Sequence, residues 1–312
     1  MIARLAKTLV FTLCIIALAA CSSGGNASRE PEASEAANAN KPAATEAAPA
    51  EQRIVSTTVA ITQIMDALEL ELVGIPTSVK TLPERYKAVK EVGNPMSPDM
   101  ELVKSLRPTE VLSVTTLKVD LEPAFDAAKI DATFLDLTSL ASMEDAIQSL
   151  GQKYDRTKQA TQVVGKIDEQ IAEISKLTEG KTKPTVLILL GVPGSYLVAT
   201  EKSYIGNLVQ LAGGVNIASG AKVEYLASNT EYLQQSNPDI ILRAAHGMPE
   251  EVIKMFDEEF KKNDIWKHFN AVNNGRVYDL PEELFGTTAN LAAAEALKSL
   301  VPMLYPEEKD AA

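Results

Sequence analysis

The chain contains two histidines, His246 and His268, and two cysteines, Cys14 and Cys21. A neutral imidazole can hold a metal centre, so the setting of each histidine comes first. His246 lies in the stretch DIILRAAHGMPEE, residues 239–251. Ile240-Ile241-Leu242 is a short apolar run of the kind that forms a buried parallel strand. Pro249 then opens a helical pattern, with Glu250 and Glu251 in its first turn. His246 is therefore expected on a loop at the carboxyl end of a strand, where open α/β sheets place their ligands. On position alone an idle polar residue that hydrogen-bonds its own turn is the better reading. His268, in Trp266-Lys267-His268-Phe269, reads as packing near a helix end and carries no ligand role. A receptor for bare zinc or manganese needs several His, Asp or Glu ligands together, and two histidines make that a poor reading. There is no P-loop, no G-x-S-x-G and no nucleophile–base pair to support an enzyme.

The elements that must position His246 can be read in order. Arg53 to Ser56 is a strand, and Thr57 or Thr58 caps a helix with apolar positions Ile61, Ile64, Met65 and Leu68. Leu72 to Ile75 is a second strand, followed by the turn Pro76-Thr77-Ser78. Lys87 to Val92 leads into the turn-rich loop Gly93 to Pro98, and Ser97 or Asp99 caps a helix ending at Ser105. Glu110 to Val114 is a strand. Residues 142–178 read as one long helix, or as two joined near Gly151 or Gly165. Then follow the strand Thr185 to Val192, its hairpin partner Tyr196 to Ala199, and a helix from Tyr204 to Leu211 stopped by Gly213-Gly214. Beyond these come a short strand at Asn216-Ile217, a helix from Asn229 and the strand at Ile240. Helices at 250–260 and 264–269, a strand at 275–278 and a helix at 290–304 close the chain.

Strands alternating with helices imply a parallel sheet built from βα units. The order also repeats. Pro98-Asp99-Met100-Glu101, Pro108 and Val111-Leu112 align at constant offset with Ser228-Asn229-Thr230-Glu231, Pro238 and Ile241-Leu242. The fold class is thus α/β, with two similar parallel-sheet lobes linked by one long α-helix. Two such lobes face each other across a cleft, a common small-molecule site. The expected plan is an amino-terminal lobe at 53–141, the linking helix at 142–179, a carboxyl-terminal lobe at 180–306 and a tail at 307–312.

The amino terminus reads as an export signal at 1–20. Arg4 and Lys7 precede an apolar core, Leu9 to Ala20, too short to span a bilayer as a mature helix. Residues 22–52 contain no Val, Ile, Leu, Met, Phe, Tyr or Trp, so they cannot bury a core and read as a disordered tether from residue 21 to 52. Cys14 falls in the discarded segment, which leaves the mature domain no disulfide and no thiolate site. The formal net charge of -12 argues against nucleic acid as a partner.

Leu18-Ala19-Ala20-Cys21 resembles a bacterial lipobox, which implies cleavage before Cys21 and lipid on its thiol. The segments SPDMELVKSLRPTEVL and SNTEYLQQSNPDIIL resemble the helix-then-strand signature of the class III substrate-binding proteins of ABC importers for siderophores, cobalamin and haem. KTLPERYK, GNPM, GVPGSYLVAT, RAAHGMPEEV, NDIWKHF and FGTTAN closely resemble the haem-receptor lipoproteins of the iron-regulated surface determinant system, from about Arg53 to Tyr305.

That resemblance implies a monomeric receptor tethered by lipid outside the cytoplasmic membrane of a Gram-positive cell. It would take haem b as cargo from upstream haem-carrying surface proteins and pass it to an ABC permease and its ATPase. In the family one Met and one His hold the iron, and the matching positions are Met96 and His246. A thioether and an imidazole are an established haem axial pair. The repeat is expected to set their two loops face to face. Met248, two residues from His246, is a rival that spacing does not exclude. Thr58 and Val59 at a helix start and Ser78 and Val79 in a turn match positions near the propionates, where free amides suit a carboxylate. Tyr196, Val192 and Phe285 either line the ring faces or are simple core. Glu101 and Glu231 match the glutamates that dock on the permease. A siderophore or cobalamin receptor of the same class is the alternative; siderophore sites draw on Arg, Tyr and Trp, and this chain has one Trp.

Overall fold

The longest strand, Thr185–Val192, is apolar over most of its length and lies at the centre of a sheet. The computed structural model describes residues 52–228, 233 and 235–306. The export signal, Cys21, the tether and Glu231 with the helix expected from Asn229 fall outside these, as does the tail.

The first half builds a five-stranded sheet. Its strands are β1 (Ile54–Ser56), β2 (Gly74–Ile75), β3 (Lys90–Glu91), β6 (Glu110–Val114) and β7 (Ala132–Leu135), in the order β3-β2-β1-β6-β7. Every neighbouring pair is parallel. Between β3 and β6 the chain makes a small antiparallel pair, β4 (Gly93–Asn94) with β5 (Ser97–Pro98). The second half builds a sheet from β8 (Thr185–Val192), β9 (Ser195–Ala199), β10 (Val215–Asn216), β11 (Tyr225–Ala227), β12 (Ile240–Ala245) and β13 (Val277–Leu280). The order is β11-β9-β8-β12-β13, with β10 also pairing β8. β8, β10, β12 and β13 run parallel. The hairpin β8–β9 and its neighbour β11 add antiparallel strands at one edge. The trio β1-β6-β7 in one sheet matches β8-β12-β13 in the other, which is the physical content of the sequence repeat.

Helix boundaries follow local chemistry. Thr58 is the cap of the helix Val59–Ala67, its Oγ1 accepting the Ile61 N–H at 3.4 Å. Asp99, and not Ser97, caps the helix Met100–Ser105; Oδ1 accepts the Glu101 and Leu102 N–H groups, each at 3.0 Å. The linking segment takes the two-helix form: Leu140–Lys153, capped by Ser139, then the longer Thr157–Thr178. The break falls at Tyr154–Arg156, where Asp155 adopts φ +56°. Several elements escaped the sequence reading, the strand Tyr225–Ala227 among them. The helix Lys118–Ala128 buries only Leu121 and Phe125 and contains Pro123, so its apolar period is faint. β7 is a half-exposed edge strand.

Gly151 is the glycine that matters at this break. A Cβ there would stand 2.4 Å from Ala160 Cβ, so the two helices touch through its missing side chain. Gly165 lies inside the long helix with nothing within 4 Å of such a Cβ. Gly151→Ala is expected to destabilise by about 1–3 kcal/mol through overpacking. Gly165→Ala should stabilise by about 0.5–1 kcal/mol by removing backbone entropy. Urea unfolding midpoints check both.

One apolar cluster runs from Ile54 in β1 through the linking helices to Leu304 in the last helix, Ala293–Leu304. Both sheets share it, and the described residues belong to one compact unit. Large rotation of one half against the other would expose that cluster, so the cleft between the halves is held nearly fixed.

Candidate functional site

Met96 is presented by the β4–β5 hairpin. Pro95 and Met96 are its two turn residues, with Asn94 opposite Ser97. Asn94 Oδ1 accepts the Met96 N–H at 2.9 Å, the local bond by which Asn closes tight turns. The thioether side chain is therefore thrust outward, 63% exposed.

His246 is placed by the opposite logic, at the end of a fully buried strand. Its N–H donates to the Gly191 carbonyl at 2.9 Å, the last rung of the β12–β8 ladder. Gly247 (φ +72°) and Met248 (φ +49°) then turn the chain into the helix Pro249–Lys262. The imidazole is partly buried, and its Nδ1 is enclosed and makes no hydrogen bond among the described residues. Burial holds the imidazole below its ordinary pKa; Glu282 opposes this and Lys80 adds to it. At neutral pH the ring is uncharged, with a lone pair to give.

Met96 and His246 line the same cavity, about 670 Å³ in volume. Val59, Ser78 and Val79 line it as well. The backbone N–H groups of Val59 and Ala60, at the start of the helix capped by Thr58, have no intrahelical acceptor, which suits them to an anionic group. Val79 stands fully in solvent. The opposite wall comes from Glu282, Glu283 and the segment from Gly286 to Glu295.

Several expectations are corrected here. The loops of Met96 and His246 are not repeat mates. The offset that aligns Pro98 with Ser228 aligns His246 with Thr116, in the turn just past β6, and Thr116 also lines the cavity. Met96 comes instead from a hairpin with no counterpart in the second half. Met248, although 53% exposed, is absent from the cavity wall, because its left-handed backbone starts the turn away. Phe285 is wholly buried core. Tyr196 packs on Phe256 and Trp266 at ring distances of 5.8 and 6.2 Å, outside the cavity, and Val192 does not reach it. His268 is exposed on the turn Asp264–His268. Sequence reasoning missed Lys80, Thr116 and Glu282; only Lys80, beside Ser78-Val79, had a nearby signal.

The model of the periplasmic binding protein family matches residues 54–284, which include both sheets, Met96 and His246. The chain belongs to that family. Among periplasmic binding proteins, the high-affinity haem uptake system protein IsdE of Staphylococcus aureus is 52% identical over 260 residues, covering 83% of this chain and 89% of its own. An ABC transporter substrate-binding protein from Listeria monocytogenes EGD-e has 62% identity and a TM-score of 0.78, over 82% of this chain and 99% of that one. The crystal structure of S. aureus IsdE complexed with haem gives 52% identity and a TM-score of 0.79 over the same shares. Periplasmic binding proteins bind and hand on a ligand, and no residue here is given a catalytic role. Among the described residues no group of three or more His, Cys, Asp or Glu is placed to hold a bare metal ion, and no helix is long and apolar enough to cross a membrane.

Proposed function

We propose that this protein captures haem b outside the cell and delivers it to an ABC permease for iron acquisition. The observation that carries the reading is one cavity walled by an outward thioether, Met96, and an uncharged imidazole, His246. Similarity at 52% identity to a haem uptake protein supports the choice of cargo. Met96 and His246 hold the iron as axial ligands. The amides around Val59, Ser78 and Val79 receive the propionates, as carboxylates suit a helix start. Both porphyrin faces then meet ligands from opposite sides, which leaves no open iron position for chemistry.

The remaining assignments belong to the same reading. Cys21 carries the lipid that holds the receptor to the outer face of a Gram-positive membrane, through the tether that ends at residue 52. The two lobes are taken at 53–141 and 180–306, joined by the two linking helices Leu140–Lys153 and Thr157–Thr178. Glu101, exposed in the first turn of its helix, docks on the permease together with Glu231. Upstream haem-carrying proteins load the receptor, which acts as a monomer.

The test is direct. Haemin added to the purified chain should give a sharpened, shifted Soret band with equimolar saturation. A chain that leaves the haemin spectrum unchanged refutes the reading. Glu101→Ala with Glu231→Ala should spare that spectrum and reduce haem uptake by cells; loss of the spectrum would refute the docking role.

A further inference from the structure

Among the described residues the cavity wall carries one cationic side chain, Lys80, against four carboxylates, Asp66, Glu282, Glu283 and Glu295. Asp66 is engaged by Arg85, whose Nε donates to Oδ1 at 3.1 Å. Lys80 reaches across the cleft. Its Nζ stands 3.7 Å from Glu282 Oε1 and donates to the Glu282 carbonyl at 3.4 Å. The same Oε1 accepts the Gly247 N–H at 3.4 Å, next to His246. Each of these contacts is long for its kind. The Lys80 side chain is 36% exposed and that of Glu282 17%, so water still reaches the pair. The root of Lys80 is fixed: its N–H donates to Ser78 Oγ at 3.0 Å, which closes the turn bearing Ser78 and Val79.

We propose that Lys80 is a cross-cleft latch whose ammonium leaves Glu282 for a carboxylate of the incoming porphyrin. Lys80 then selects a cargo with free carboxylates, and Glu282 competes with that cargo for the same cation. The inference rests on haem being the cargo. A long, half-solvated ion pair contributes little. A propionate at the turn beside it can approach to a normal charge-assisted distance. The exchange also relieves the entering anion of an otherwise acidic wall, since Glu283 and Glu295 offer it no positive partner. The latch ties the Ser78 turn to the loop before Phe285 only while the cavity lacks a carboxylate guest.

The test compares haemin with haemin dimethyl ester, which keeps the iron and ring and loses the carboxylate charges. Soret titrations of the purified full chain give the two affinities, and their ratio is the readout, because axial ligation enters both equally. The natural protein should prefer haemin. Lys80→Met should cut the ratio roughly fivefold, and Glu282→Gln should raise it roughly two- to fivefold. Glu282→Gln keeps an oxygen for the Gly247 N–H, so the fold is retained and the result stays interpretable. A ratio unchanged in Lys80→Met, or lowered in Glu282→Gln, overturns the latch. If the natural protein binds neither haemin nor its ester, the haem reading itself has failed.

Discussion

Replacing His246 by alanine is expected to cost haem affinity on the order of a hundredfold and to convert the six-coordinate spectrum to a five-coordinate or water-ligated one. The size follows from placement. The backbone of His246 is held just past β12 by its main-chain N–H to the Gly191 carbonyl, and burial keeps the ring uncharged with a lone pair to donate. Met96→Ala should change the spectrum as well but cost less affinity, because a thioether is a weak donor on a two-residue turn. It should also lower the iron potential, since a thioether ligand raises it. Met248→Ala should leave absorption and potential unaltered. Absorption spectra and redox titrations of the three variants decide the pair. Should Met248→Ala abolish the six-coordinate band while Met96→Ala spares it, the second ligand is Met248.

The second large effect lies beneath the same strand. Arg243, three residues before His246, is 8% exposed. Its Nε and Nη2 donate to both oxygens of Asp279 at 2.7 and 2.6 Å, and Nη1 donates to Asp257 at 3.0 Å. The guanidinium lies 5.5 Å over Phe256 and 5.3 Å over Phe260. It ties β12, β13 and the helix Pro249–Lys262 into one unit. Arg243→Met should destabilise by about 2–3 kcal/mol, below the full cost of stranding a buried charge, because Asp279 and Asp257 are partly exposed and can be hydrated. Arg243→Lys should recover only part of this, since an ammonium cannot form the two-pronged bond to Asp279. Urea unfolding of the haem-free chain measures both. An Arg243→Lys variant as stable as the natural protein would show that charge alone matters.

How much was legible beforehand varies by element and for identifiable reasons. β8 and β12 were readable because strands buried on both faces carry near-continuous apolar runs, and His246 followed on the loop past the run Ile240–Leu242. Asp99 was one of two candidate caps, and its carboxylate reach to two amides decided it. The repeat was visible because the stretches leading into β6 and β12 carry matching residues at a constant offset. The helix Lys118–Ala128 and β7 stayed hidden because half-exposed edge elements carry little periodicity. Tyr196 and Phe285 could not be sorted between cavity and core, since an aromatic side chain serves either place.

By itself, then, the amino-acid order determined the βα plan, the strand-end position of His246 and, through resemblance, the family. Tertiary structure decided which methionine shares the cavity, because Met96 projects from a hairpin while the left-handed Met248 begins a turn away. It also brought Lys80 to Glu282, 202 residues apart. Such a contact leaves no local trace: it depends on two sheets being set around one common core, and no pattern within either segment encodes that distance.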